Sequence, residues 1–228
     1  MSVRTLEQLV TVTEPRSPSA EAYRTLRTSL DFASLDKVVR TLLVSSAGPE
    51  EGKSTTLANL AVVSAQEGKR TVVVDCDLRR PAQHRLFGLS NDQGLTSVLM
   101  NEAALKDPPL REVGIPGLRL LTSGPIPPNP SEIIASARLV ELIKTLASKA
   151  DLVLFDAPPL VAVADASMLA SRLDAVLLVA YAGRTRKAHI ERAKALLEKA
   201  NARLLGAVLT NVQVDRALSG YYSSSDSR

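Results

Sequence analysis

Tryptophan is absent from this chain of 228 residues, aromatic side chains make up only 3%, and Cys76 is its single cysteine. Because hydrophobic residues still reach 45%, we expect an aliphatic core of leucine, valine and alanine. A lone cysteine excludes an internal disulfide and fits a reducing compartment. No apolar run approaches the roughly 18 residues of a membrane span, and the first residues contain no apolar signal core. These absences predict a soluble, cytoplasmic protein.

The excess of one charge sign is also slight, with a formal net charge of +4. Basic residues are spread along the chain, so the excess indicates an ordinary solvated surface more than a binding tract. The excess could suit ATP, an anionic membrane face or nucleic acid, and of these partners nucleic acid is not expected. The length fits one sizeable domain and is short for two.

Composition divides the chain into three segments. Residues 1–19 contain two prolines and little apolar content, which predicts an extended, mobile arm. Residues 20–218 form the predicted domain, which opens with a helix over 20–33 capped by Ser19. Residues 219–228 form a flexible tail of glycine, serine and two tyrosines.

The domain alternates between short apolar runs and helical segments. Strands are predicted at residues 38–45, 71–75, 118–122, 152–155, 175–180 and 205–210. Helices are predicted at 55–67, at 132–148 with Ser131 as its cap, at 165–171 and at 186–200, with short helices and turns over 92–112 and a non-helical loop over 124–130. Continuous β-branched and leucine strands separated by helices predict an α/β fold with a mostly parallel central sheet and helices on both faces.

The first strand leads into a loop that reads Ala-Gly-Pro-Glu-Glu-Gly-Lys-Ser-Thr at positions 47–55. The usual phosphate-loop pattern is Gly-x4-Gly-Lys-Ser/Thr, and Ala47 replaces its first glycine. Backbone N–H groups at a helix start favour an anion, the lysine adds positive charge, and the hydroxyl can bind Mg²⁺. A plain surface turn is the alternative. The predicted nucleotide-binding residues here are Gly48, Pro49, Glu50, Glu51, Gly52, Lys53, Ser54 and Thr55.

Carboxylates stand at the ends of two later strands: Asp75 and Asp77 after the second, and Asp156 after the fourth. Ligands of such sheets lie beyond the carboxyl ends of the strands. Magnesium is usually held there by one or two carboxylates with phosphates and water. Of the pair at 75 and 77, one could hold metal while the other accepts a proton, although Asp77 could instead cap a turn. We interpret Asp165 and Asp174 as caps or surface residues.

Together these motifs resemble the bacterial tyrosine kinases (BY-kinases) of capsular and exopolysaccharide synthesis, over about residues 20–222. The loop at 45–55 is similar to their Walker A motif. The run Val-Val-Val-Asp-Cys-Asp-Leu-Arg-Arg-Pro at 72–81 is similar to Walker A′, and Leu-Val-Leu-Phe-Asp-Ala-Pro-Pro at 152–159 to Walker B. Residues 94–99 and 127–132 also have counterparts. Many ATPases share a Walker A loop, whereas Asp-x-Asp-x-Arg with a tyrosine tail is fairly specific.

The resemblance implies a P-loop NTPase-like fold, with ATP and Mg²⁺ as cofactors. It implies that Lys53 and Ser54 hold the phosphates and Mg²⁺. Asp75 is then the favoured base for a tyrosine hydroxyl, while Asp77 and Asp156 arrange Mg²⁺ and its water shell. The chain would be an ATP-dependent protein-tyrosine autokinase.

The resemblance also implies partners. The family phosphorylates tyrosines of its own tail in trans, here Tyr221 and Tyr222, within a ring that forms and dissolves with phosphorylation. Glu21, Arg24 and Arg27 are similar to its subunit-contact motif, although their spacing alone indicates only a solvated helix face. A membrane activator, on a separate chain or a fused domain, would place the kinase at the inner face of the membrane.

Some features leave alternatives open. Glu50 stands where the family usually has glycine, and it is strained if its φ is positive; a nucleotide-binding regulator without catalysis is therefore one alternative. A partitioning-type ATPase switch is another, although that group has a second lysine where this chain has Gly48. Asn211 could contact the adenine ring. Arg184, Arg186 and Lys187 are weaker candidates for contacts near the nucleotide.

Overall fold

The computed structural model describes residues 6, 9–35 and 37–212. Within them, a seven-stranded sheet runs in the order β3-β4-β2-β5-β1-β6-β7. The strands are β1 (Thr41–Ser46), β2 (Thr71–Asp75), β3 (Arg111–Glu112), β4 (Leu118–Leu121), β5 (Leu152–Asp156), β6 (Ala175–Tyr181) and β7 (Leu204–Thr210). Every pairing is parallel except that of the two-residue edge strand β3 with β4.

Helices cover both faces of this sheet. They are α1 (Val10–Thr13), α2 (Pro18–Ala33), α3 (Lys53–Gln66), α4 (Gln83–Leu86), α5 (Leu95–Met100), α6 (Glu102–Lys106), α7 (Pro130–Ala135), α8 (Ala137–Lys149), α9 (Asp165–Ala170) and α10 (Lys187–Lys199). Neighbouring strand residues alternate between two apolar clusters, as Leu42 and Leu43 do. One cluster packs under α2 and α3, and the other under α8 and α9. The predicted fold class is confirmed.

The arm predicted as extended is instead docked where the structure describes it. Residues Val10–Thr13 form a helical turn. Leu9 is fully buried, and Thr11 donates two hydrogen bonds, from N–H and Oγ1, to Asn59 Oδ1 at 3.1 and 2.8 Å. The prediction was wrong here because one leucine and one threonine outweigh the polar composition around them. The proposed boundary at 218/219 lies outside the described residues and stays a prediction.

Four helix starts also differ from prediction, and two of them, those of α3 at Lys53 and α10 at Lys187, differ by only one or two residues. Helix α2 begins at Pro18 with Ser17 as its cap, not Ser19, since proline suits the first helical position. The helix predicted over 132–148 is two helices, because Ser136 is extended (φ −62°, ψ 148°) and its hydroxyl accepts the N–H of Leu139. Ser131 is therefore not a cap, and the loop before it ends at Asn129.

Candidate active site

The phosphate loop joins buried strand β1 to helix α3. Gly52 occupies the N-cap position in the left-handed region, with φ 87°, and a Cβ there would lie 3.4 Å from Thr210 Cγ2. Glycine is therefore favoured by the backbone conformation, since a Cβ at that distance would make an ordinary van der Waals contact. Gly52 makes no side-chain cap, and the first N–H groups of a helix have no partner within it, so the start of this 14-residue helix favours a bound anion.

Glu50 has a positive φ of 57°, so the strain expected at this position is present. Its side chain is exposed, and Oε2 lies 3.4 Å from Arg184 Nη2. The Arg184 guanidinium itself lies 5.7 Å from the centroid of the Tyr181 ring. Glu50 therefore turns its charge toward a cation on the loop after β6.

The next residue, Glu51, attaches the phosphate loop to the rest of the domain. Its side chain is buried, and Oε1 accepts the hydroxyl of Thr185 at 2.7 Å. The Thr210 hydroxyl donates to the Glu51 carbonyl at 2.8 Å. A Cβ on Gly48 would lie 2.9 Å from Glu51 Oε1, so the space beside Gly48 is already filled. Sequence reasoning missed Thr185 and Thr210, and no local pattern marks them.

Lys53 lies between two of the predicted carboxylates. Its Nζ is 2.8 Å from Asp77 Oδ2, 3.2 Å from Asp156 Oδ1 and 3.0 Å from Ser54 Oγ. Burial lowers the pKa of Lys53, but the carboxylates of Asp156 and Asp77 raise it by more, so the net pKa is raised. The structure thus brings three of the predicted residues around the ammonium group of a fourth, Lys53.

Strand register explains this convergence. Asp75 of β2 is paired with Asp156 of β5, and Asp156 is in turn paired with Val44 of β1, just before the phosphate loop. Asp77 follows two residues after the end of β2 and lines the open pocket with residues 49–55, Arg80 and Pro159. Three sequence-distant motifs therefore meet because their strands are neighbours and end at the same edge.

Asp75 lies behind Asp77 and is fully buried. Its Oδ1 accepts the N–H of Asp77 at 3.2 Å, and its Oδ2 accepts the N–H groups of Ala82 and Gln83 at 3.0 and 2.9 Å. Burial and the nearby Asp156 carboxylate raise the pKa of Asp75 to about 8, against the backbone hydrogen bond from Gln83. Its predicted role as a base stays a prediction.

Asp165 is neither the helix cap nor the surface residue that the sequence indicated. Its side chain is only 4% exposed. Oδ2 accepts Arg79 Nε at 2.8 Å and Oδ1 accepts the Ser131 hydroxyl at 2.7 Å. The interpretation was wrong because Arg79, two residues after Asp77, folds over α9 and supplies the paired charge. Asp174 accepts the N–H groups of Arg40 and Thr41, which stabilises the start of β1.

Asn211 directly follows Thr210 and has a φ of 56°. It lies in a groove between α2 and the end of β7 that also contains Tyr23, beside the phosphate loop and separate from the Lys53 pocket. Arg186 is the N-cap residue of α10, and Lys187 pairs with Glu191 on the same helix at 3.6 Å. Contact of these residues with a nucleotide stays a prediction.

The predicted interface residues make ion pairs within the chain. Arg24 Nη1 is 2.9 Å from Glu21 Oε2. Arg27 Nη1 lies 3.3 Å from Asp31, and its Nη2 lies 3.9 Å from Glu67. These pairs anchor the charged face of α2, and a role between subunits stays a prediction. The predicted phosphate acceptors, Tyr221 and Tyr222, lie outside the described residues.

The donor set fits Mg²⁺ bound together with nucleotide phosphates. Across residues 9–35 and 37–212, no group of three or more His, Cys, Asp or Glu side chains could hold a metal by itself. Ser54, Asp77 and Asp156 instead offer one hydroxyl and two carboxylates around Lys53. Magnesium prefers this partial oxygen shell, completed by phosphates and water.

Fold and site together define a P-loop nucleotide-binding domain. In agreement with this, residues 42–223 match the CobQ/CobB/MinD/ParA nucleotide binding domain family. The chain is 42% identical over 224 residues to tyrosine-protein kinase YwqD of Bacillus subtilis strain 168, covering 98% of this chain and 94% of the relative. The chain belongs to the bacterial tyrosine-protein kinases. The predicted family and enzyme class are confirmed.

Solved structures agree with this assignment. The chimerical protein CapA2B2 superposes with a TM-score of 0.86 at 38% identity, covering 91% of each chain. The kinase domain of Escherichia coli tyrosine kinase ETK gives a TM-score of 0.85 at 33% identity, covering 92% of this chain and 82% of that domain. None of the helices that the structure describes is long and apolar enough to cross a membrane.

Proposed function

We propose that this kinase uses ATP and Mg²⁺ to phosphorylate tyrosines in its own C-terminal tail and thereby regulates the synthesis or export of a capsule or exopolysaccharide. The observation that carries the proposal is the position of Lys53, held at the start of α3 between Asp77 and Asp156. A cation, two carboxylates and an anion-binding helix start are the parts that phosphoryl transfer needs.

The geometry of the chain supports the following proposed roles. Backbone N–H groups of Gly48 and of residues 50–55, with the Lys53 ammonium, are proposed to bind the phosphates. Ser54, Asp77 and Asp156 hold Mg²⁺, which when bound neutralises charge on the phosphates. Asp75 is proposed to accept the proton of the attacking tyrosine hydroxyl.

The course of the chain supports a tail acceptor. Strand β7 ends at Thr210, whose side chain contacts the phosphate loop. Tyr221 and Tyr222 follow Val212, the last described residue, by nine and ten positions. An extended segment of that length can span at most about 30 Å, which sets how near the site of a neighbouring copy must lie. We propose transfer in trans within a homo-oligomeric ring, with Glu21, Arg24 and Arg27 at the contact.

We further propose that a membrane protein activates the kinase and holds it at the cytoplasmic face. The phosphate pocket lined by residues 49–55, Asp77, Arg80 and Pro159 is open to the surface, so a tail segment from a neighbouring subunit has access to it. Size-exclusion chromatography with light scattering tests the ring. The variant Arg24→Ala should shift oligomers toward monomer, and an unchanged mass would contradict this interface.

Incubation with ATP and Mg²⁺, with and without a membrane activator, tests the reaction itself. Mass spectrometry should find phosphate on Tyr221 and Tyr222. Lys53→Ala should abolish it, while Lys194→Ala, at an exposed lysine paired with Glu198 on α10, should retain it. Phosphate release without phosphotyrosine would favour the ATPase switch, and absence of ATP binding would favour the non-catalytic regulator.

A further inference from the structure

Gln83, the first residue of α4, is fully buried and contacts all three motifs of the site. Its side-chain Nε2 donates to Asp156 Oδ2 at 2.8 Å and to the Ser54 carbonyl at 3.1 Å. Its backbone N–H donates to Asp75 Oδ2 at 2.9 Å. One carboxamide thus joins the end of β5 to the start of the phosphate-loop helix.

The orientation of this amide follows from its partners. A carboxylate oxygen and a backbone carbonyl can only accept hydrogen bonds, so the nitrogen must face them. The two oxygens of the Asp156 carboxylate therefore have different partners. Oδ2 is bound by Gln83, while Oδ1 faces Lys53 Nζ at 3.2 Å.

We propose that Gln83 is a positioning residue for the magnesium side of the phosphotransfer site, an assignment that rests on the proposed function. By holding Oδ2, the carboxamide sets the rotation of the Asp156 side chain and leaves Oδ1 directed at the site. By also binding the Ser54 carbonyl, it fixes the start of α3, which carries the Ser54 hydroxyl, relative to Asp156. Groups that orient metal-binding carboxylates in this way commonly affect metal affinity by about 10- to 100-fold.

If Gln83 only stabilised the fold, its replacement would lower the free energy of unfolding without changing the effect of Mg²⁺ on nucleotide binding. Among the described residues, Gln83 Oε1 is buried and accepts no hydrogen bond. In Gln83→Met the unpaired oxygen disappears, but the buried Asp156 Oδ2 loses its donor, so the free energy of unfolding should fall by an amount that a folded domain can tolerate. The substitution Gln83→Met leaves the backbone donor to Asp75 in place, so α4 stays attached. The variant should then remain folded, while the Asp156 carboxylate is no longer held in position.

The test measures binding of ADP to the full chain by calorimetry, once with EDTA and once with Mg²⁺. For Gln83→Met, ADP affinity in EDTA should stay within about twofold of wild type, and the strengthening by Mg²⁺ should fall about tenfold. Gln83→Asn keeps the amide but is too short to reach both partners, and it should behave like the methionine variant. Gln93→Met, at an exposed glutamine, is the matched control and should match wild type.

Two results would overturn the proposal: an unchanged Mg²⁺ effect in a folded Gln83→Met protein, or equal weakening with and without Mg²⁺. In kinase assays, kcat should fall about tenfold while KM for ATP at saturating Mg²⁺ changes less than threefold. The calorimetric readout does not depend on phosphotyrosine. A failure of autophosphorylation in the wild-type protein would therefore contradict the proposed function and leave the Gln83 test intact.

Discussion

The Asp75 carboxylate accepts the backbone N–H of Asp77 at 3.2 Å, so one acidic side chain supports the loop that presents the other. Asp75 is enclosed by backbone donors, whereas Asp77 reaches Lys53 at 2.8 Å on the open side of the pocket. Two carboxylates of one motif therefore have different surroundings, and asparagine substitutions should separate their contributions.

For Asp77→Asn we expect tyrosine phosphorylation to fall about 100-fold or more, because the charge facing Lys53 and the metal is lost. The free energy of unfolding should fall by about 1–3 kcal/mol, because Lys53 loses one of its two buried carboxylate partners while the asparagine oxygen still accepts the Arg80 N–H. Radiolabelled phosphate transfer and urea unfolding measure the two quantities. Retained activity would exclude Asp77 from the site.

For Asp75→Asn we expect both quantities to fall. An amide nitrogen would face backbone donors that now bind an oxygen, which should cost about 1–3 kcal/mol of unfolding free energy. If the variant unfolds at the same urea concentration as wild type but has lost activity, Asp75 acts in chemistry alone. If it is destabilised yet fully active, its proposed role as base is wrong.

Glu50→Gly should stabilise the protein by about 0.5–1 kcal/mol, because glycine adopts the φ of 57° without strain. It should also tighten ATP binding, since a negative charge leaves the rim of the phosphate pocket. Asn201→Gly, at a φ of 50° in the turn before β7, is the control. It should leave ATP affinity unchanged. Weaker ATP binding in Glu50→Gly would show that the glutamate assists the nucleotide.

Docking of the N-terminal segment on α3 can be tested at Thr11. Thr11→Val removes the buried hydroxyl that donates to Asn59 and should cost about 1 kcal/mol of unfolding free energy. Thr13→Val removes an exposed hydroxyl that contacts its own helix at 3.3 Å and should cost much less. Chemical denaturation of both variants gives the comparison. Equal losses would mean that the contact with Asn59 contributes nothing specific.

The ion pair between Arg70 and Asp151 should make the free energy of unfolding depend on pH in acidic solution. Hydrogen bonds from the Arg70 side chain and backbone lower the pKa of Asp151 to about 2. Because the pKa of Asp151 is lower in the folded state than in the unfolded state, where it is near 4, the pair adds to the free energy of unfolding above about pH 4. This contribution is lost as the pH falls toward 2. Wild type should therefore lose more stability than Asp151→Asn between about pH 6 and 3 in urea titrations. If the free energies of unfolding of wild type and Asp151→Asn changed equally with pH, the lowered pKa of Asp151 would be contradicted.

The main elements and motifs were predictable because their signals are local. Valine-rich β2 was predicted with its observed bounds, Thr71–Asp75, and the Gly-Lys-Ser loop before α3 follows directly from its strand. That Lys53, Asp77 and Asp156 would meet follows from parallel strands ending at one edge. The resemblance to bacterial tyrosine kinases rested on the same runs of sequence.

Other features depended on contacts between distant residues. Leu9 gives no sign in the sequence that it will enter the core, and Ser136 gives none that it will divide a helix. Asp165 looked like a cap until Arg79 folded against it. Local composition could not predict these outcomes, because each depends on which partner the fold brings within hydrogen-bonding or packing distance.

The sequence by itself determined the fold class, the phosphate loop and the acidic residues at the strand ends, since periodicity and spacing act over a few residues. Only the tertiary structure decided which distant residues hydrogen-bond to the phosphate loop and to the acidic residues. Glu51 is bound by Thr185 and Thr210, 134 and 159 positions away, and Asp156 by Gln83, 73 positions away. Such hydrogen bonds form only after strands have paired and burial has selected which polar groups face one another.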